Sequence, residues 1–76
     1  MKVTYGIVEE TYNYKEEVRV SYGIAAFADA TTIIASCQDI TSDKQKLQDL
    51  INLCNELDLS PIHLNDVVQD FLVEYN

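Results

Sequence analysis

The sequence predicts an α+β fold, a three-stranded antiparallel meander with one face covered by two C-terminal helices. Three observations predict it. Apolar residues alternate with polar ones through the first half of the chain, at the period of half-buried strands. From residue 43 onward the apolar spacing changes to the period of a helix. A short motif also recurs, Thr4-Tyr5-Gly6-Ile7 against Ser21-Tyr22-Gly23-Ile24, as expected of two similar paired strands.

Strands are predicted over about 2–10 and 17–27, with Tyr12-Asn13-Tyr14-Lys15 as the connecting turn, because Asn tolerates the left-handed backbone of hairpins. A turn centred on Asn13 and Tyr14 pairs Tyr5 with Tyr22, Ile7 with Val20 and Val3 with Ile24. Val3, Tyr5, Ile7, Val18, Val20, Tyr22, Ile24 and Ala26 then share one face, and a slip of one residue would scatter them. After a turn at Ala28-Asp29-Ala30, a third strand over about 31–37 adds Ile33, Ala35 and Cys37 to that face.

Ser42-Asp43-Lys44-Gln45 has the form of a capping box, opening a helix over about 43–57. Its apolar stripe is Leu47, Leu50, Ile51, Cys54 and Leu57. Ser60-Pro61 opens the second helix, which starts at Pro61 or nearer Asn65 and runs to about 75, with Leu64, Val67, Val68, Phe71, Leu72 and Tyr75 in register. Leu50, Ile51, Val68 and Phe71 are the expected core against the Tyr5, Ile7, Val20 and Tyr22 face. The 76 residues read as a single domain, 1–76, with a thin core and no room for a deep enclosed site.

Charge constrains partners more than fold. The formal net charge is −8, and the last thirty residues hold Asp49, Glu56, Asp58, Asp66, Asp70 and Glu74 with no Lys or Arg. Such a surface favours basic protein partners and opposes nucleic acid and anionic membranes. The longest apolar run, Ile24 to Ala28, is far too short to span a bilayer. The Met1-Lys2-Val3-Thr4 start lacks the apolar stretch of a secretory signal, and two distant cysteines make no disulfide scaffold, so a cytoplasmic protein is expected.

Candidate chemistry is sparse. His63, the one histidine, stands three residues before Asp66 and could serve as an acid/base group or metal ligand beside it, or simply order the helix entrance. The second use needs no further groups, whereas acid/base work needs a second group and a cleft. Cys37 and Cys54 show no metal-ligand spacing, and phosphate-binding glycine loops, nucleophile elbows and calcium loops are missing. No catalytic, cofactor or metal residue is therefore expected, and no enzyme.

Two surfaces remain. Asp66, Asp70 and Glu74 recur every four residues and line one helix face, either a solvated stripe or the face of a basic protein partner. Gly6, Val8, Gly23, Phe27 and Ile34 lie on the sheet face away from the helices and form a candidate self-association face for a homodimer. The two strand glycines there either admit a second backbone or relieve crowding beside Tyr5 and Tyr22.

The segment Leu59-Ser60-Pro61-Ile62-His63-Leu64, continued by Asp66-Val67-Val68 and Asp70-Phe71-Leu72, joins the strand motif Tyr22-Gly23-Ile24-Ala25-Ala26 in a recognisable pattern. From about Tyr5 to Leu72 the chain resembles a family of small bacterial proteins known only as a domain of unknown function. The resemblance implies a stand-alone bacterial domain and brings no activity, ligand or catalytic residue. The expected role is a small non-catalytic interaction or accessory module. The alternatives are an acidic mimic that blocks a nucleic-acid-binding protein and a minor enzyme or metal binder centred on His63.

Overall fold

Alternation followed by helical periodicity produces the expected α+β architecture. The computed structural model describes residues 3–75, and the predicted places of Lys2 and of the Tyr75 side chain lie outside the described residues. Strands β1 (Thr4–Tyr14), β2 (Glu17–Phe27) and β3 (Ile33–Thr41) form an antiparallel sheet in the order β1-β2-β3. Helix α1 (Lys44–Glu56), a 3₁₀ turn (Pro61–His63) and helix α2 (Leu64–Tyr75) follow.

The first hairpin corrects the predicted register. Its turn is Lys15-Glu16, both left-handed with φ of 50° and 67°, and Tyr12 and Tyr14 belong to β1. Tyr5 pairs with Ala26 and Ile7 with Ile24, four residues along from the predicted partners. Because four is even, every side chain keeps its predicted face. The observed register sets the Tyr5 ring opposite a methyl group, where the predicted one set it opposite Tyr22. That relief of crowding and an eleven-pair ladder offset two non-glycine residues in the left-handed region.

Strand β3 begins later than predicted because Asp29 extends the preceding turn. Its carboxylate accepts from the backbone amides of Thr31 and Thr32 at 2.9 Å each and from both threonine hydroxyls. The strand also runs on to Thr41, through an irregularity where Tyr22 pairs with Thr41 but Ile24 pairs with Cys37. The extra residues of β3 swing past Gly23. A Cβ at Gly23 would run into the Cys37 carbonyl oxygen and lie 2.9 Å from the Gln38 Cα. Close backbone approach therefore explains this glycine, and the approaching backbone is the chain's own. Asp39 in the bulge is left-handed (φ 55°), and its carboxylate accepts from the buried Ser21 hydroxyl at 2.6 Å.

Asp43, rather than Ser42, caps α1, accepting from the Lys46 amide at 3.2 Å. A carboxylate is a favourable charge at a helix N-terminus. The Asp43 amide is met by Thr41 Oγ1 (3.1 Å), and Gln45 donates to Asp49 instead of reaching back. The helix ends in a Schellman pattern, with the Leu59 amide donating to the Cys54 carbonyl and left-handed Asp58 to the Asn55 carbonyl. Ser60 flanks the 3₁₀ turn without a side-chain cap bond; Pro61 starts that turn, and the α-helix starts at Leu64.

The core joins Val3, Tyr5, Ile24, Ala26 and Ile40 of the sheet to Leu47, Ile51 and Cys54 of α1 and Leu64, Val68 and Phe71 of α2. Several predicted members depart from it: Ile33 is 55% exposed and Val20 lies outside the cluster. Leu50 is half-buried, Leu57 is 66% exposed beyond the last turn of α1, and Val18 is 70% exposed. Lengths explain Val18: thirteen helical residues rise roughly 20 Å, whereas an eleven-residue strand spans about 36 Å. The helices cannot reach the far end of the β1–β2 hairpin, and the molecule measures 44 × 30 × 18 Å. β3 also stops pairing at Tyr22, so Thr11–Tyr14 and Glu17–Val20 project as a two-stranded ribbon. On this ribbon Arg19 and Lys15 stand 5.3 and 5.4 Å from the Tyr14 ring centre, and Arg19 pairs with Glu17 at 3.3 Å.

Candidate functional site: an acidic groove between the helices

Helix α1 carries two neighbouring stripes. Leu47, Ile51 and Cys54 face the sheet and are buried, while Lys46, Asp49, Leu50 and Leu53, also at helical spacing, face toward α2. From the other side come Val67, Asp70, Phe71 and Glu74 of α2. Together these eight residues line an open groove of about 310 Å³. Its apolar part is buried Phe71, half-buried Leu50 and Val67, and partly exposed Leu53. Three exposed carboxylates, Asp49, Asp70 and Glu74, stand among them against one cation, Lys46, whose ammonium lies 4.0 Å from Asp43.

The predicted acidic stripe thus divides. Asp70 and Glu74 line the groove; Asp66 is exposed one turn earlier, outside the lining. Sequence reasoning missed Asp49 and Leu53, and Leu53 was the available signal, as an apolar residue off the core stripe of α1. The predicted self-association face divides too. The Phe27 ring lies over Gly6, 3.2 Å from where a Cβ would stand, and Gly23 is filled by β3, so both glycines are used inside the sheet. Val8 and Phe27 are half-buried there, and Ile34 is 41% exposed.

The residues weighed for chemistry are dispersed in environment. His63 is exposed on the 3₁₀ turn. Cys54 is buried beneath α1, and burial pushes its thiol pKa up. The half-buried Cys37 thiol donates to Asn65 Oδ1 at 3.3 Å. Among the described residues no group of three or more His, Cys, Asp or Glu is placed to hold a metal ion. Asp29 lines a second shallow hollow with Thr4, Phe27, Ala28 and Ala30, but its carboxylate is occupied by the turn. Bonds from the Thr31 amide and the Thr32 and Thr31 hydroxyls lower its pKa. No helix among the described residues is long and apolar enough to cross a membrane.

Beside Cys54, Tyr5 ties the first strand to the end of α1. Its hydroxyl donates to the Leu59 carbonyl at 2.7 Å, and the Asn55 side chain bonds both its backbone N–H (2.7 Å) and its C=O (3.0 Å). Burial, with smaller contributions from Cys54 and Asp58, raises the phenol pKa. Both raised groups are acids held neutral by the fold. Their stabilising effect is complete below their unfolded pKa values, about 8.5 for the thiol and 10 for the phenol, and is lost as pH rises through the folded values. Melting temperature is therefore expected to fall between about pH 8.5 and 11. Tyr5→Phe should flatten the upper part of that fall and Cys54→Ala the lower part; curves that superimpose on the wild type would refute the assignment.

No curated protein and no solved structure matches the chain. A sequence-family model does, over nearly the whole length and across both the strand motif and the Ser-Pro-Ile-His-Leu segment, and it carries no assigned activity. The chain belongs to the family of unknown function DUF6514, whose model matches residues 1–74.

Proposed function

We propose that the chain is a small, non-catalytic interaction module of the bacterial cytoplasm whose α1–α2 groove receives a basic amphipathic segment of a partner protein, and that it self-associates through its sheet. The observation that carries the first part is the mixture of groups in the groove. Leu50, Leu53, Val67 and Phe71 offer apolar contact, and Asp49, Asp70 and Glu74 offer charge to flanking cations. An amphipathic helix with apolar anchors and Lys or Arg beside them matches both. An acidic mimic of nucleic acid needs carboxylates arrayed without apolar groups between them, so the leucines favour the peptide reading. Two free cysteines, one of them buried, suit a reducing compartment.

Fluorescence anisotropy with a labelled helical leucine–lysine peptide tests this, beside the same peptide with glutamate at every lysine. The cationic peptide is expected to bind about tenfold tighter or better and to weaken as salt is raised. Joint Asp70→Lys and Glu74→Lys substitution should cost about another tenfold or more. Glu9→Lys with Glu10→Lys makes the same charge change on β1 and should leave binding near the wild-type value. Equal losses from the two pairs would mean only diffuse attraction to an acidic chain and would sink the groove reading.

A further inference from the structure

We propose that two copies join edge to edge through β3, pairing β3 antiparallel with its twin across a twofold axis to give a continuous six-stranded sheet. This rests on the self-association reading above and names the surface that performs it.

The two free edges of the sheet are unlike. Antiparallel residues direct both backbone groups to one side, alternately toward and away from the neighbouring strand. On β1 the Tyr5 N–H and C=O point away from β2, and both are already taken by Asn55, which stands in for a fourth strand. Further along the same edge lie Glu9 and Glu10, so self-pairing there would bring carboxylates of two copies together. Both devices discourage a second copy on β1.

On β3 the same alternation gives the opposite result. Because Tyr5 opposes Ala26 and bonds outward, Ala26 and Ile24 direct their backbone groups to β3, where they meet Ala35 and Cys37. Ser36 therefore presents its N–H and C=O groups outward, and Ile34, two residues before it, is the extra residue at the irregularity where Phe27 pairs with Ile33. No residue from Ala30 to Gln38 is charged in a chain of net charge −8, and neither Lys nor Pro guards the strand. Ile33 is 55% exposed and Ile34 41%. In a twofold pair with Ile34 opposite Ser36 of the second copy, Ala35 lies at the axis, and the nearest carboxylates, Asp29 in the preceding turn and Asp39 in the bulge, lie outside the uncharged stretch 30–38. Ile34 of each copy then lies diagonal to its twin on the outer face, within reach of apolar contact. An uncharged edge is where two such acidic chains can meet, and screening by salt strengthens the pair.

Light scattering across micromolar to millimolar concentration, at low and moderate salt, tests the assignment. The wild type is expected to approach twice the chain mass of 8.6 kDa, at lower concentration as salt rises. Ser36→Pro removes an outward N–H and leaves the β2 ladder intact, and Ile34→Lys places a charge at the seam. Each should raise the dissociation constant about tenfold or more while far-UV circular dichroism stays native. Thr11→Pro, at an outward position of β1, should leave the mass unchanged. A wild-type monomer throughout would overturn self-association itself. A dimer indifferent to both β3 substitutions would overturn the edge assignment alone.

Discussion

Phe71→Ala is expected to leave little folded protein at room temperature. The ring is 5% exposed and belongs, with Leu64 and Val68, to the cluster that joins α2 to Ile51 of α1 and to the sheet. Truncating a buried phenylalanine removes its transfer free energy and leaves a cavity, together about 3–5 kcal/mol. A domain of this size holds roughly 4–11 kcal/mol in all. Val73→Ala on the exposed side of the same helix is expected to stay within about 0.5 kcal/mol. Urea denaturation followed by circular dichroism measures both. A Phe71→Ala midpoint close to that of Val73→Ala would mean that the helix layer is not what holds the fold.

Gly23→Ala should be nearly as damaging, and Gly6→Ala should not. At Gly23 the added methyl meets the Cys37 carbonyl oxygen and the Gln38 Cα, both backbone atoms of the β3 bulge. Neither can move without breaking the pairing of β2 with β3, so overpacking of about 1–3 kcal/mol or more is expected. At Gly6 the nearest atom is the far end of the Phe27 ring, 3.2 Å away, and a ring edge can swing. A strand glycine also costs about 0.5–1 kcal/mol relative to alanine, which offsets the displacement. Paired denaturation curves decide it; equal effects at the two positions would remove the bulge from the explanation.

The two glycines show how far the sequence could be read. Alternation assigned the faces of β1 and β2, because a side chain's face there depends only on parity; in β3 two irregularities break parity, leaving Ile33 exposed and bringing Ile40 into the core. Register was not legible for the same reason: Tyr5 opposite Tyr22 and Tyr5 opposite Ala26 satisfy parity equally, and only the room around the ring separates them. Gly23 was visible as an oddity, but its cause lies fourteen and fifteen residues away, at Cys37 and Gln38 of a β3 that runs four residues past its predicted end. Asp29 and Asp43 acted through side-chain bonds to backbone amides, which composition alone does not rank against Ser42 or the Ala28-Asp29-Ala30 turn. In the groove, Asp70 and Glu74 were legible from their spacing. Asp49 and Leu53 were not, because their membership depends on where α2 lands beside α1.

The projecting ribbon divides the chain into two cooperative units. From Val3 to Glu9, β1 is tied to β2, to Asn55 and to the core, so opening it means unfolding the molecule. Beyond Ser21 and Glu10 the two strands have only each other, and an isolated two-stranded hairpin is marginal in water. That end opens and recloses while the body stays folded, and its amides exchange with solvent at a fraction of the global free energy. Substitutions at Tyr12, Val18 or Arg19 therefore shift a local opening equilibrium and leave the melting of the body where it was.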